Sequence, residues 1–295
     1  MNTLSDNFRG AALMTAAMAA FVFNDMMMKI VSDHLTLFQS IFIRGIFTTF
    51  LIGLMAWRKK ALFCLVSKRD RKIIVWRLIG EIGGTLCFLT ALFNMPIANA
   101  TAILQALPLA VTLAASLFLG EAVGWRRYFA IIIGFVGILI IVRPGSEGFN
   151  DYSFWALAAV GFIVVRDLAT RRLSSQVPSL FVALLTSIFI TLAGALLSPT
   201  MEWRPVTGET LLLLAVAALF ILFGYLFSVM TMRVGEIGFV SPFRYTNLIW
   251  AILIGIFVFG DIPDQWTLIG SSIVIAMGIY TFRRERKLRL AEQNP

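Results

Sequence analysis

The chain has 295 residues, of which 59% are hydrophobic and 14% are charged, and its mean hydropathy is +0.87. Soluble domains carry about 25% charged residues, so this composition excludes an ordinary water-soluble globule and predicts a protein embedded in a lipid bilayer. The net charge of +9 arises from short Lys and Arg clusters between apolar runs, without a basic domain or an RNA-binding motif, which argues against a nucleic-acid partner.

Apolar runs long enough to cross a hydrocarbon layer of about 30 Å recur along the whole chain. In chain order there are about ten, at residues 10–31, 35–57, 73–93, 98–119, 128–142, 152–169, 179–197, 211–232, 238–259 and 267–282. The first run contains Asp25 and Lys29 and lacks a convincing cleavage site, so we interpret it as a membrane helix rather than a signal peptide. Most connections are short and leave no room for an extramembrane catalytic domain. The sequence therefore predicts an all-α membrane protein.

The basic residues predict the orientation of the chain in the membrane. They are concentrated between the second and third runs and after the last run: Arg58, Lys59, Lys60, Lys68, Arg69, Arg71, Lys72, Arg283, Arg284, Arg286, Lys287 and Arg289. Because cytoplasmic loops are enriched in Lys and Arg, both regions should be cytoplasmic. An even number of spans then places both termini in the cytoplasm of a bacterial cell, with the chain in the inner membrane.

An internal repeat emerges when the chain is compared with itself at an offset of about 140 residues. Gly120 and Glu121 fall over Gly260 and Asp261, and residues 98–108 fall over 238–248. The sequence thus predicts two five-helix repeats, at residues 1–143 and 144–295, the second with a basic cytoplasmic tail. Because five is odd, the second repeat should be inverted relative to the first, as in secondary transporters.

Ionisable side chains inside a membrane are costly and therefore mark candidate functional positions. Arg44 and Arg244 have no opposite charge one helical turn away, so their partners should come from other helices or from a substrate. Asp25 and Lys29 are four residues apart, and so are Arg77 and Glu81. Pairing within a helix would account for both sets, while Asp25, Lys29 and Glu81 are also candidates for coupling or gating.

A second charged group lies near the end of the sixth run, where Arg166, Asp167 and Arg171 follow one another. Long side chains at such a position can reach the lipid headgroups, which favours a structural role for them.

Two prolines lie inside apolar runs, Pro108 in the first repeat and Pro242 in the second. Proline removes an amide donor and frees carbonyl groups, and paired interruptions in two repeats predict a binding site near the middle of the bilayer. Pro108 and Pro242 are therefore also candidates for coupling or gating. Side chains that can form hydrogen bonds or stack on a substrate surround these prolines: Gln105, Tyr245, Asn247, Phe243, Trp250 and Phe88. They suit a polar substrate with a planar or aromatic part.

No motif in the sequence indicates catalysis, a metal ion or a cofactor. Cys64 and Cys87 lack metal-binding spacing, and the one histidine, His34, lies near a short loop. We therefore expect a protein that is not an enzyme and has no cofactor and no metal site.

The pattern as a whole resembles the EamA-type carriers of the drug/metabolite transporter superfamily. The resemblance covers almost the whole chain and rests on weak motifs in a specific order: Phe38 through Arg44, Ala98 through Ala102 with Pro108, Gly120-Glu121, Gly134 through Gly137 followed by Arg143-Pro144, and Ser241 through Tyr245. It implies a carrier that moves a small metabolite by alternating access through a central cavity lined by both halves.

Within that superfamily, Asn24-Asp25 and the run Pro242-Phe243-Arg244-Tyr245 are similar to bacterial carriers for riboflavin and S-adenosylmethionine. The uncharged and aromatic residues near Pro242 favour riboflavin uptake as the expectation. S-adenosylmethionine, an amino acid, or metabolite export are the alternatives within the carrier class. Coupling to protons is a further possibility, and the sequence does not specify the oligomeric state.

Two other classes of membrane protein remain as competing interpretations. A lipid-linked flippase or membrane enzyme would act on long amphiphiles, and a channel or scaffold would form pore-lining rings in an oligomer. The internal repeat favours the carrier over both.

Overall fold

The computed structural model describes residues 4–120, 124–144, 150–174, 176–234 and 237–293, and no strand occurs among them. Glu121, which the repeat comparison used, lies outside the described residues. The α-helices are α1 (Leu4–Val31), α2 (Leu37–Arg58), α3 (Lys68–Asn94), α4 (Ile97–Leu104), α5 (Leu107–Leu119), α6 (Trp125–Val142), α7 (Tyr152–Arg172), α8 (Ser179–Leu197), α9 (Gly208–Val234), α10 (Ile237–Val240), α11 (Thr246–Ile254) and α12 (Gln265–Gln293).

These helices form ten segments that are long and apolar enough to span a membrane, as the sequence predicts. A helix satisfies its own backbone hydrogen bonds, which is required where no water is present to do so. Three boundaries lie well outside the predicted runs, because α1 begins at Leu4, α12 ends at Gln293 and α3 begins at Lys68 inside the basic loop. Ser67 caps this helix by accepting a hydrogen bond from the Asp70 amide at 3.1 Å, so the first turn forms before the apolar run begins.

The fourth and ninth spans, expected as continuous runs, are both interrupted near their prolines. The fourth is divided into α4 and α5 by a turn at Gln105 and Ala106, just before Pro108. In the ninth, a 3-10 segment (Ser241–Tyr245) containing Pro242 precedes α11, and a π-helical turn (Gly255–Phe259) follows it. Each proline removes an amide donor and its ring crowds the preceding turn, which explains why both breaks lie beside these residues.

The helices pack in five pairs: α1 with α9, α3 with α7, α2 with α8, α6 with α12, and α4 with α11. Exchanging the first five spans with the last five turns the α1–α9 pair into the α7–α3 pair and leaves the other three pairs unchanged. The 140-residue offset also recurs in the backbone, because Gly120 (φ 69°) and Gly260 (φ 70°) both end their spans in the left-handed conformation.

Glycine allows several of these pairs to approach closely. A Cβ atom on Gly80 of α3 would lie 2.6 Å from backbone atoms of Phe162 and Arg166 in α7. Helices in a membrane gain little from the hydrophobic effect, so small residues that permit backbone contact stabilise their association. The α3–α7 contact holds the charged residues of both helices at one depth.

Candidate functional site

The largest cavity beside the proline interruptions has a volume of about 540 Å³, within the range of small-molecule sites. It is lined by α1, α4, α5, α7, the 3-10 segment, α11 and α12, and therefore by both halves of the chain. Its main polar residues are Gln105, Asp167, Arg171, Arg244, Tyr245 and Asn247. Pro108 also lines it.

The cavity lies toward the end of the molecule where α7 ends. Thr170 and Arg171, in the last turn of α7, contribute to its wall, as does Phe282 near the C-terminal part of α12. The second-to-third-span loop lies at this same end, because the Ser174 amide after α7 donates to Asp70 in the first turn of α3 at 3.2 Å.

Arg244 is one of two exposed cations in the cavity wall, the other being Arg171. The Arg244 side chain forms no hydrogen bond or ion pair with the residues that the structure describes. Asp167 of α7 also lines the cavity and is the carboxylate whose charge acts on Arg244. The wall thus carries both signs of charge.

Gln105 and Tyr245, which are 140 residues apart, meet across the two interrupted spans. The Gln105 Nε2 donates to the Tyr245 carbonyl oxygen at 3.4 Å. Two buried acceptor or donor atoms near this contact, the Tyr245 hydroxyl and the Asn247 Oδ1, have no hydrogen-bond partner among the described residues. A buried polar atom left unpaired costs about 1–3 kcal/mol, so each is a candidate ligand contact.

A chain of ion pairs leads from the cavity into the α3–α7 contact. The Arg166 Nε lies 2.8 Å from the Asp167 Oδ1, and the Arg166 Nη1 lies 3.4 Å from the Glu81 Oε1. Glu81 is also 3.4 Å from Arg77, so the pairing expected within α3 is present. The sequence suggested that Arg166 could reach the lipid headgroups. In the structure it bonds to Glu81 and Asp167 within the protein instead.

Arg44 lies in a different place from Arg244. The Arg44 Nη1 donates to the Asn24 Oδ1 at 3.0 Å, and the Asn24 Nδ2 donates to the Asp25 Oδ1 at 2.9 Å. Arg44 lines a separate cavity of about 60 Å³, together with Arg77 and Tyr225. The structure thus supplies Arg44 with partners from α1 and separates it from the larger cavity.

Lys29 does not pair with Asp25, although the sequence spacing allowed that pair. The Lys29 Nζ instead donates to the carbonyl oxygens of Leu92 and Met95 at 3.0 and 2.8 Å, and lies 5.6 Å from the centre of the Phe259 ring. These groups lie where α1 and α3 end, at the end of the molecule opposite to the cavity. Lys29 therefore joins three spans at the end of the molecule opposite to the cavity.

The aromatic side chains that the sequence suggested for stacking lie outside the cavity wall. Trp250 and Phe243 pack against an apolar cluster with Met14 and Val240, and Phe88 packs in the core. Tyr245 and Phe282 supply the aromatic surface instead. The sequence analysis did not place Phe282, Asp167 or Arg171 in the cavity. They lie near the ends of spans, where contacts with lipid headgroups are equally typical.

Comparison with known proteins agrees with this architecture. The EamA-like transporter family matches residues 8–143. The chain is 26% identical over 272 residues to an S-adenosylmethionine uptake transporter of Rickettsia felis, covering 90% of this chain and 89% of that protein. It is 30% identical over 227 residues to a riboflavin transporter of Vibrio cholerae, covering 73% and 72%.

A solved crystal structure shares the fold, with a TM-score of 0.64 at 15% identity over 94% of this chain and 98% of that one. The ten spans, the paired interruptions and the relatives lead to one conclusion. The chain belongs to the EamA-like transporter family and is a multi-pass membrane transporter of small metabolites, not an enzyme.

Proposed function

We propose that this protein carries a zwitterionic metabolite of the S-adenosylmethionine type across the bacterial inner membrane by alternating access, with the 540 Å³ cavity as its binding site. The observation that carries this proposal is the exposed Arg244, which has no ion-pair partner among the described residues, in a cavity that also presents Asp167. A carboxylate on Arg244 would match its charge, and a cationic group of the substrate would face Asp167, which also bonds Arg166.

Counting the charges inside the spans supports a substrate with a carboxylate. Arg77 and Arg166 pair with Glu81 and Asp167, and Arg44 bonds to Asn24 beside Asp25. Backbone carbonyl groups hold Lys29. Arg244 lines the cavity and forms no ion pair with the residues that the structure describes, and such an intramembrane cation is expected to face an anionic part of a ligand.

The remaining cavity groups suit the uncharged part of such a substrate. Asn247 offers an unpaired acceptor to an exocyclic amine, and the Tyr245 and Phe282 rings offer surface to a planar base. The similarity to an uptake transporter for S-adenosylmethionine extends over nine-tenths of the chain and supports a substrate of this type.

Riboflavin, which the sequence favoured, is the second candidate. The relative with 30% identity is named a riboflavin transporter, and the amides of Gln105 and Asn247 would suit its hydrogen-bonding ring. Riboflavin has no charge to compensate Arg244, however, and three of the aromatic residues that suggested it lie outside the cavity.

The orientation and repeat boundaries belong to the same proposal. Basic residues at the cavity end support a cytoplasm-facing cavity with both termini on that side. The exchange-symmetric helix packing supports repeats at residues 1–143 and 144–295. Proton coupling through Asp25 or Glu81 stays a prediction.

The test is uptake of labelled S-adenosylmethionine by bacteria without their own importer, with unlabelled riboflavin and amino acids as competitors. We expect saturable uptake that riboflavin does not reduce, and its loss in Arg244→Gln at an equal membrane level of protein. Arg126→Gln, which removes a cation outside the cavity, is the control. Uptake of riboflavin alone would establish the second candidate instead, and absence of both would contradict the proposal.

A further inference from the structure

A basic groove lies where α3 begins and α7 ends, separate from the transport cavity. It has a volume of about 490 Å³ and is lined by Lys68, Arg69, Lys72, Ile73 and Arg172. All four cationic side chains are exposed. The groove thus concentrates four positive charges at the membrane boundary.

These charges are not neutralised by neighbouring carboxylates. Within the part of the chain that the structure describes, none of the four forms an ion pair. The nearest acid in the sequence, Asp70, is 7% exposed, and its oxygens accept from the Ser67 hydroxyl and the Ser174 amide. Asp70 therefore bonds to the backbone and to Ser67 beneath the groove, and the positive charge of the groove stays accessible to an anion.

The surface that adjoins the groove is apolar and exposed. Val75, Trp76 and Ile79 expose 54%, 61% and 44% of their surface, which identifies them as lipid-facing within a membrane span. Lys68, Lys72, Trp76 and Ile79 follow one another at intervals of four, four and three residues, so they share one face of α3. That face is cationic at its end and apolar along the span.

The loop before α3 adds further apolar groups at the same boundary. Phe63 is 92% exposed, and Leu65 is fully exposed. Side chains of this kind beside clustered cations are typical of segments that lie in the headgroup region of a bilayer.

We propose that this groove binds cardiolipin, the anionic phospholipid with two phosphates. Four cations that form no ion pair with the described residues match a headgroup with two phosphates, and the Val75–Trp76–Ile79 face accommodates acyl chains below it. Basic pockets between membrane helices are a known setting for such headgroups. The site is independent of the transported substrate, because none of its residues lines the large cavity.

The experiment measures lipid binding to the purified full-length protein by native mass spectrometry, with cardiolipin, phosphatidylglycerol and phosphatidylcholine. The groove variant is Lys68→Gln/Arg69→Gln/Lys72→Gln. Its control is Arg58→Gln/Lys59→Gln/Lys60→Gln, which removes the same charge from the same loop outside the groove. We expect cardiolipin to bind best and the groove variant to weaken it about 100-fold, the control variant much less.

Three results would overturn the proposal. An equal loss of cardiolipin affinity in both variants would mean that binding depends only on the total charge of the loop. Equal binding of phosphatidylglycerol would mean that the groove does not recognise a headgroup with two phosphates. Displacement of cardiolipin by inorganic phosphate or diphosphate would mean that the groove takes a soluble anion. Substrate uptake by the groove variant in cells verifies that it is folded.

Discussion

At the scale of single residues, Tyr245 depends on a glycine opposite it. A Cβ on Gly278 of α12 would overlap the Tyr245 hydroxyl, which non-bonded atoms do not tolerate. Gly278 therefore fixes the position of a ring in the cavity wall. The sequence contained no signal that Gly278 contacts Tyr245, because that contact joins two distant segments.

Gly278→Ala should displace Tyr245, destabilise the protein by about 1–3 kcal/mol, as overpacking does, and reduce uptake. Thermal unfolding in detergent and uptake in cells measure the two effects. Gly161→Ala is the matched control, since no atom lies within 4 Å of the added Cβ. Equal behaviour of the two variants would remove the steric role of Gly278.

The same scale shows how far single residues could be predicted. Arg244 stands out in the sequence because it lacks an opposite charge one turn away, and the structure leaves it unpaired among the described residues. Arg44 has the same sequence signature but finds Asn24 on another helix. Only the tertiary structure distinguishes these two cases.

At the scale of helices, the span positions follow from hydropathy, but their breaks and ends depend on local hydrogen bonding. Pro108 and Pro242 indicated the interruptions in the fourth and ninth spans. The N-terminus of α12 is a helix boundary that hydropathy does not reveal. The Asp264 Oδ1 accepts from the Thr267 amide at 2.7 Å, and Asp264 also pairs with Arg143 at the end of α6.

Asp264 lies outside the spans, and its surroundings make a pH-dependent contribution. Burial raises the pKa of this carboxyl, but the bonds from Thr267 and the charge of Arg143 outweigh burial and hold the pKa below its ordinary value of 3.8. A lowered pKa in the folded state contributes stability that is complete above the unfolded value and is lost as the pH falls through the folded value.

Asp264→Asn keeps a capping oxygen but removes the charge, so it should lower stability by about 1 kcal/mol or less, since a part-exposed ion pair is screened. The difference in stability between Asp264→Asn and the unmodified protein should be the same at pH 7 and pH 5 and should shrink only below about pH 3.8. Thermal unfolding at several pH values measures it. A difference that already vanishes at pH 5 would contradict this assignment.

At the scale of the whole molecule, the two halves meet in one cavity, and Lys29 joins them at the opposite end of the molecule. Its bonds to Leu92 and Met95 and its contact with Phe259 join the first half to the second. The sequence indicated that Lys29 is important but suggested Asp25 as its partner. The partners are backbone carbonyl groups, which a side-chain pattern cannot reveal.

Lys29→Met should weaken this junction and favour a state in which the cavity opens at the Lys29 end of the molecule. In a Cys64→Ser/Cys87→Ala background with Thr112→Cys in the cavity, we expect a membrane-impermeant thiol reagent at that face to react about tenfold faster, corresponding to about 1.4 kcal/mol. Lys59→Met, at the other end, is the control. An unchanged reaction rate, with the variant present in the membrane at its normal level, would mean that Lys29 does not restrict opening at this end.

The central claim is that Arg244 binds the substrate carboxylate. The most direct measurement compares kcat/KM for S-adenosylmethionine and its decarboxylated analogue, for the unmodified protein and Arg244→Gln in proteoliposomes. A charge-assisted hydrogen bond contributes about 1.5–3 kcal/mol, so each single change should cost roughly 10- to 100-fold, and the two together no more than either alone. Losses that multiply, or a variant that still prefers the carboxylate, would contradict the claim.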